Sequence, residues 1–261
     1  MITNIFYFIR FKLLLRGEKY MQRIGIILAM QEEFEEISNV MEKTEEKLIQ
    51  GVSFFTGRIE GQNCVVVQSG IGKVNAARVT QIMIDNFNLK YVINLGSAGA
   101  LDPMLNIGDI VIGDELSQHD FDITAFGHAK GYITGVGDRI YCDENLIKKF
   151  KKAINNLDDR SYEIKVGGIT SGDIFCTEID MKNKIYAIFD AECVEMEGAA
   201  IAQVCYLDNI PFIVVRSISD SPNGENAITF DQFVQLASKR CAKILKAVLR
   251  DMTEEDRKVE S

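Results

Sequence analysis

The sequence has no surplus of positive charge, since 29 Lys and Arg stand against 38 Asp and Glu and the formal net charge is -9. Four basic residues and one acidic residue lie among the first 20, which leaves -12 for the remainder by subtraction. A nucleic-acid surface needs clustered positive charge, and an anionic membrane attracts basic segments. The charge balance therefore argues against nucleic-acid and membrane partners.

Histidine is scarce, with two residues, and the six cysteines are scattered without a C-x-x-C pair. Structural zinc sites need Cys and His at close, regular spacing, which is missing here. Scattered cysteines are typical of reduced thiols in a cytoplasm. We therefore expect a cytoplasmic protein with no metal site. The residues concerned are His119, His128, Cys64, Cys142, Cys176, Cys193, Cys205 and Cys241.

Proline is scarce too, and no Pro-rich, Ser-rich or repetitive stretch lies between Met21 and Leu249. A chain of 261 residues with 47% hydrophobic content can bury a full core. Because no linker offers itself as a boundary, we predict a single domain over residues 21–252. A polar tail is predicted over residues 253–261.

The first 20 residues, MITNIFYFIRFKLLLRGEKY, could be mistaken for a signal peptide or a membrane anchor. Arg10 and Lys12 interrupt the apolar run, and no small-residue cleavage site follows. A bilayer span takes roughly 20 apolar residues, so the segment is too short and too charged. Since the run after Met21 resembles the start of a first core strand, we predict that residues 1–20 are a disordered extension or an upstream mis-start.

Short β-branched runs alternate with helical periodicities along the chain. Residues 23–29 are typical of a buried strand, and residues 53–70 predict a hairpin that turns near Gly61. Helices are expected after the first strand, near residues 180–189 and at the C-terminal end. This pattern predicts an α/β protein, a three-layer α/β/α sandwich around a central mixed β-sheet.

Polar and small residues cluster where four of the predicted strands end. In open α/β sheets the ligand crevice lies beyond the carboxyl ends of the strands. We therefore expect the four clusters to meet in one pocket. They are Glu32 with Glu33, the run 96–99, the run 195–197, and Arg216 with Ser219 and Asp220.

Two of the glycine-containing motifs have ordinary explanations. The segment from Gly70 to Gly72 resembles a dinucleotide-binding fingerprint, but Asn75 replaces the third glycine and the strand is not the first of a βαβ unit. We expect a tight turn with close backbone approach there. The small residues of the run 96–99 favour either a tight turn with close backbone approach or backbone N–H groups that face a ligand.

Glu195 and Glu197 flank Met196 in the third cluster. We expect that at most one of these carboxylates faces the pocket. The other is expected to pair with a basic side chain such as Arg216, in a structural role.

Three of the clustered carboxylates suit the hydrolysis of a bond between a sugar and a heterocycle. That reaction needs an acid to protonate the leaving group, a base to take a proton from water, and carboxylates near a cationic sugar. Asp220, Glu33 and Glu197 could supply these functions. The acid must keep its proton near neutral pH, which burial near other carboxylates favours.

Seven stretches, in register over residues 23–250, carry a family resemblance. The sequence resembles the methylthioadenosine/S-adenosylhomocysteine nucleosidases of the nucleoside phosphorylase superfamily. The stretches are IGIILAMQEEFE, SGIGKVNAA, NLGSAGAL, GDIVIGDELSQHDFDITAFG, SGDIF, VEMEGAAIAQV and PFIVVRSISD.

The resemblance implies a role for each site residue. Asp220 would protonate the departing adenine, Glu33 would activate the attacking water, and Glu197 would accept hydrogen bonds from the ribose hydroxyls. Met196 would pack under the sugar, Phe175 would stack on adenine, and the backbone of Cys176 would bind the edge of the base. The remaining substrate-binding residues are Ser97, Gly99 and Arg216, around the ribose and water, Ile71 and Phe230, which line the pocket for the alkylthio group, and Ser219. Cys176 departs from the aliphatic residue that is frequent in the family.

The resemblance also implies a homodimer and no metal or organic cofactor. The apolar segment DITAFG, which has no evident partner within the predicted fold, is consistent with a dimer. Methylthioadenosine, S-adenosylhomocysteine and 5′-deoxyadenosine are the expected substrates. The sequence does not rank them and leaves a futalosine-type nucleoside open.

Two other functions compete with hydrolysis. A phosphorolytic relative would bind a phosphate dianion, which needs cations or oriented N–H donors. The carboxylates crowded at the first strand end would instead repel phosphate; the residues there are Gln31, Glu32, Glu33, Glu35 and Glu36. A non-catalytic nucleoside-binding module or stress sensor has little use for three such carboxylates.

The mis-start hypothesis predicts the mass of the native protein. If residues 1–20 are not translated, mass spectrometry of protein from its own source will find an N-terminus at Met21. Recovery of peptides from residues 2–20 would contradict the mis-start and leave the extension as the explanation.

Overall fold

The computed structural model describes residues 22–157, 161–220 and 230–260, with side chains over 22–157, 161–220 and 233–256. The predicted extension, residues 1–20, lies outside the described residues. Within these ranges, no helix is long and apolar enough to cross a bilayer.

Strands and helices alternate as the sequence predicts. The strands are β1 (Arg23–Leu28), β2 (Glu42–Ile49), β3 (Val52–Ile59), β4 (Gln62–Gln68), β5 (Leu89–Ala100), β6 (Ile110–Gln118), β7 (Ile140–Tyr141), β8 (Ile164–Ser171), β9 (Cys193–Glu195) and β10 (Phe212–Asp220). The helices are α1 (Gln31–Ser38), α2 (Lys73–Asn86), α3 (Glu144–Asn155), α4 (Ile179–Phe189), α5 (Gly198–Leu207) and α6 (Phe230–Glu260).

All ten of these strands belong to one mixed sheet, which confirms the predicted fold class. The order is β10-β6-β8-β9-β5-β1-β4-β3-β2, and β7 pairs with β6. Strand β10 also pairs with β5, so part of the sheet closes on itself through β5, β10, β6, β8 and β9. The central pairs β1 with β5 and β5 with β10 are parallel, whereas β5 with β9 is antiparallel.

Helices cover both faces of the sheet and complete the three layers. One hydrophobic core cluster joins the sheet to α2 and α5, and it includes Val79 and Ala199. The opposite cluster joins the sheet to α1, α3 and α6, and it includes Ile37, Phe150 and Leu245. A third, smaller cluster lies under α4.

Strand β2 is the longer of two strands that the sequence pattern did not predict, the other being the two-residue β7. Its residues are almost all exposed, and it pairs only with β3 at the edge of the sheet. A strand without a buried face lacks the apolar alternation that identifies strands. The hairpin of β3 and β4 was predicted correctly, with Glu60 and Gly61 at positive φ in its turn.

Helix α6 extends beyond residue 252, where the domain was predicted to end. Residues 253–260 continue the helix, and the hydroxyl of Thr253 donates to the carbonyl of Glu60 at 2.8 Å. The carboxylate of Glu255 pairs with Lys149 on α3 at 2.7 Å. These contacts attach the polar end of α6 to the hairpin turn and to α3.

Phe150 is fully buried between the sheet and α6, and its truncation tests the packing of this layer. We expect Phe150→Ala to lower the free energy of unfolding by about 3–5 kcal/mol, because it leaves a cavity. The matched change Leu48→Ala, at a residue 72% exposed, should stay within roughly 0.5 kcal/mol of wild type. Chemical denaturation measures both, and equal effects would contradict the packing.

Candidate active site

The four predicted clusters meet around one cavity of about 470 Å³. A volume of this size is typical of small-molecule sites. The lining residues are Ala29, Met30, Glu33, Ile71, Asn94, Leu95, Gly96, Ser97, Ala98, Gly99, Ile174, Phe175, Cys176, Val194, Glu195, Met196, Glu197, Arg216, Ser219 and Asp220. Phe230, predicted to line the alkylthio pocket, has a side chain outside the described ones.

Glu33 lies in the first turn of α1, directly after β1, and its side chain is 3% exposed. One carboxylate oxygen accepts from the backbone N–H groups of Ala29 at 3.0 Å and Met30 at 3.1 Å, and the other accepts from Ser97 at 3.2 Å. Burial raises the pKa of Glu33, although these N–H groups and the charge of Arg216 oppose the shift. A carboxylate with a raised pKa is a stronger base, and this one is held rigidly.

Arg216 in β10 is fully buried and is held by Glu195. Its guanidinium contacts the Glu195 carboxylate at 2.5 Å and also donates to Asn94. Glu195 accepts further hydrogen bonds from the N–H groups of Glu197 and Gly198. The predicted pairing of Arg216 with a neighbouring carboxylate is confirmed, and Glu195 is the partner.

Glu197 also lines the cavity, so the expectation that at most one of Glu195 and Glu197 faces the pocket was wrong. The expectation misapplied strand alternation, because residues two apart along a strand share a face. In the structure β9 ends at Glu195, and Glu197 is the N-cap residue of α5. The N–H of Gly72 donates to Glu197 at 2.8 Å. The tight turn expected at residues 70–72 therefore contacts this carboxylate, with Gly70 and Gly72 at φ 81° and 98°.

The pKa of Glu197 is raised to about 8. Burial is the largest cause and the negative charge of Glu195 the second, while the Gly72 N–H and Arg216 act in the opposite direction. A carboxyl at this pKa is protonated in part near neutral pH and can both donate and accept hydrogen bonds.

Asp220 ends β10 and is held by two side chains. The Ser219 hydroxyl donates to Oδ1 at 2.8 Å, and the Lys182 ammonium on α4 donates to Oδ2. The sequence argument expected other carboxylates as the close neighbours of Asp220, but the described contacts are with a cation and a hydroxyl. Lys182 was missed because a single Lys in an amphipathic helix is usually a surface residue.

The small residues of the run 96–99 are required by the carboxylates that pack on them. A Cβ atom at Gly96 would lie 2.9 Å from Glu33 Oε1, and one at Gly99 would lie 3.0 Å from both Asp220 oxygens. Larger residues would displace both side chains. The close-approach explanation of this run therefore has direct support in the structure.

The remaining predicted residues differ in their exposure. Cys176 is 7% exposed, whereas Phe175 and Ile71 are 60% and 55% exposed at the open side of the cavity. Ser97, Met196 and Ser219 line its wall.

A charged network beside the cavity fixes two of its loops. The Lys73 ammonium pairs with Asp120 at 2.5 Å, and the Lys73 N–H donates to Asp173 at 2.8 Å. The Asp173 N–H donates in turn to Asp120 at 2.9 Å. This network joins the turn before α2 to the loop that carries Phe175, and nothing in the local sequence pattern predicts it.

No group of three or more His, Cys, Asp or Glu side chains in the described ranges is arranged to hold a metal ion. The cavity walls offer carboxylates, hydroxyls and apolar surface. Such a site can bind an uncharged heterocycle and a polyhydroxyl group, and can transfer protons to and from them.

Comparison with known proteins agrees with this arrangement. Residues 23–250 match the family model described as the phosphorylase superfamily. Because the match covers most of the chain, the protein belongs to the phosphorylase superfamily.

Individual relatives show to which group within the superfamily the chain belongs. The chain is 41% identical to the 5′-methylthioadenosine/S-adenosylhomocysteine nucleosidase of Geobacillus thermodenitrificans, over 87% of this chain and 96% of that one. It is 40% identical to the Staphylococcus aureus (strain bovine RF122 / ET3-1) nucleosidase of the same name, over 88% and 100%. Within the superfamily, the chain therefore belongs to the 5′-methylthioadenosine/S-adenosylhomocysteine nucleosidases.

Solved structures give the same result. A putative methylthioadenosine nucleosidase from Weissella paramesenteroides superposes with a TM-score of 0.84 at 38% identity, over 90% of this chain and 100% of that one. The Neisseria meningitidis nucleosidase, solved with methylthio-immucillin-A, has a TM-score of 0.83 at 36% identity, over 88% and 99%. The Colwellia psychrerythraea nucleosidase was solved with adenine and has a TM-score of 0.83 at 37% identity, over 88% and 95%.

The raised pKa of Glu197 predicts a pH-dependent stability. Because the folded-state pKa is about 8 and the ordinary value is 4.5, the folded protein binds more protons between these values, and stability falls as pH rises through them. Between pH 5 and 8, wild type should therefore lose more free energy of unfolding than Glu197→Gln, by roughly 1–4 kcal/mol. Urea denaturation at both pH values measures the difference, and identical losses would contradict the assignment.

Proposed function

We propose that the protein hydrolyses the N-glycosidic bond of 5′-methylthioadenosine and S-adenosylhomocysteine, releasing adenine and the thioribose. The observation that carries the proposal is the convergence of Glu33, Glu197 and Asp220 on one cavity of nucleoside size. The family of the chain supports the substrate class. We extend the proposal to 5′-deoxyadenosine, and we place the reaction in methionine salvage and the activated-methyl cycle.

Glu33 acts as the base in this mechanism. Its carboxylate is fixed by backbone N–H groups from two chain segments, and its raised pKa suits proton abstraction from water. The proton leaves the water for Glu33 while the water oxygen bonds to the anomeric carbon. The same carboxylate stabilises the positive charge that develops on the sugar.

Asp220 acts as the acid at the other end of the broken bond. It donates a proton to the imidazole ring of adenine as the electrons of the glycosidic bond move to the base. Glu197 binds the ribose hydroxyls, and Met196 packs under the sugar. Phe175 stacks on adenine, the backbone of Cys176 binds its edge, and Ser97, Gly99, Arg216, Ser219, Ile71 and Phe230 complete the site.

The charge of the cavity supports water rather than phosphate as the nucleophile. Among the described residues of its lining, Arg216 is the one cation, and its guanidinium is engaged by Glu195 and Asn94. A phosphate dianion would have to lie beside Glu33, against its negative charge.

Incubation with methylthioadenosine, with and without phosphate, tests the reaction type. We expect adenine and free methylthioribose at the same rate in both cases, resolved by chromatography. Release that requires phosphate, with methylthioribose 1-phosphate as the product, would contradict hydrolysis. No release from any of the proposed nucleosides would favour a binding module.

Substitution of the proposed base tests its role. Glu33→Gln should lower kcat by about 10²–10⁴-fold, the usual contribution of a general base. Glu35→Gln is a matched control, since Glu35 lies in the same helix with an exposed side chain and should leave kcat unchanged. Equal activity of the two variants would exclude Glu33 as the base.

We also propose a homodimer that acts in the cytoplasm. The side chain of Phe126, in the segment DITAFG, is 82% exposed, and that of Met104 is 80% exposed, as expected for surfaces covered by a second copy. The six cysteines are all free and buried, which fits a reducing compartment. Light scattering should return about twice the chain mass of 29.3 kDa, and a monomer mass would contradict the dimer.

A further inference from the structure

Lys182 is a charged residue at a position where α4 faces the core. The buried residues of α4 are Lys182, Ile185 and Phe189, which share one face of the helix. Ile185 and Phe189 pack in the cluster with Leu101 and Val194. Lys182 is 3% exposed, and a lysine is almost never buried to that extent unless it is paired.

The partner of Lys182 is Asp220. The ammonium donates to Oδ2 of the carboxylate, and the Ser219 hydroxyl donates to Oδ1 at 2.8 Å. Gly99 lies against both carboxylate oxygens. The carboxyl group is therefore fixed on three sides, and the fourth faces the cavity.

Stability alone gives a weak reason for this pair. Replacing a buried ion pair by apolar side chains of similar size is often neutral or stabilising. An apolar residue at position 182 would continue the packing of Ile185 and Phe189. The charge is better explained by what happens at Asp220 during the reaction.

Proton donation by Asp220 leaves a carboxylate behind. Starting from the protonated carboxyl group, the O–H bond of Asp220 breaks, the N–H bond of adenine forms, and negative charge develops on the aspartate. The contacts with Lys182 and Ser219, which both donate, are those of this product carboxylate, which takes a proton back from solvent before the next turnover. A cation that is already in place stabilises this charge without reorganisation, which lowers the barrier. Lys182 does not line the cavity, so it acts through Asp220.

We propose that Lys182 is a positioning residue for Asp220, which orients the carboxyl group and stabilises the carboxylate that forms as adenine is protonated. This inference rests on the proposed function of Asp220 as the acid. It predicts that the positive charge at position 182 affects turnover more than substrate binding.

Three variants at this position separate charge from packing. Lys182→Met is similar in length and neutral, and we expect it to lower kcat for methylthioadenosine by about tenfold or more, with KM within about twofold of wild type. Lys182→Arg keeps the charge and should retain more of kcat than Lys182→Met. Lys182→Gln provides a second neutral variant if the methionine variant does not fold.

Matched controls accompany these variants. Lys184→Met changes an exposed lysine of the same helix and should match wild type in kcat and KM. Thermal unfolding of each variant shows whether a lower kcat reflects a loss of folded protein. A purely structural role of the ion pair would lower the thermal stability of Lys182→Met, because Asp220 loses its cation, while the folded variant would keep the kcat of wild type.

The inference is overturned if Lys182→Met turns over as fast as wild type or faster than Lys182→Arg, or if KM changes and kcat does not. Asp220→Asn, measured alongside, tests the proposed function separately. Full activity of Asp220→Asn would remove the acid assignment, whereas an inactive Asp220→Asn beside a fully active Lys182→Met would remove only the role of Lys182.

Discussion

The burial of one guanidinium is the constraint around which this site is arranged. Arg216 lies inside β10 without access to water, and burial alone would lower its pKa. Nearby carboxylates, Glu195 foremost, raise that pKa overall, so the charge is retained. An unpaired buried charge is strongly destabilising, so the ion pair of Arg216 with Glu195 is needed for the stability of the fold as well as for the site.

The same charge separates the carboxylates into different roles. Glu195 is saturated by Arg216 and by the N–H groups that begin α5, so it has a structural role. Glu33 and Glu197 are also buried, and the pKa of each is raised although the charge of Arg216 opposes the shift. Glutamates of one site thus acquire different roles from their surroundings alone.

Much of this arrangement could be predicted from the sequence. The buried strands have apolar runs, and the carboxyl ends of β1, β5 and β10 carry the polar clusters, so the fold class and the place of the site follow from local patterns. Strand β2 could not be predicted because it has no buried face. The contact of Lys182 with Asp220 joins residues 38 positions apart, and only the packing of α4 brings them together. The relation of Glu195 to Glu197 was predicted wrongly because residues two apart along a strand share a face, and β9 itself ends at Glu195.

In the proposed mechanism, a water molecule between Glu33 and the sugar is the nucleophile, and Asp220 lies at the departing base. A crystal structure with a methylthioadenosine analogue that carries carbon in place of the glycosidic nitrogen tests it most directly. We expect an ordered water that is hydrogen-bonded to Glu33 and faces the anomeric carbon, with the base against Asp220 and the ribose hydroxyls on Glu197. A ligand that places its anomeric carbon away from Glu33, or its base away from Asp220, would contradict this mechanism.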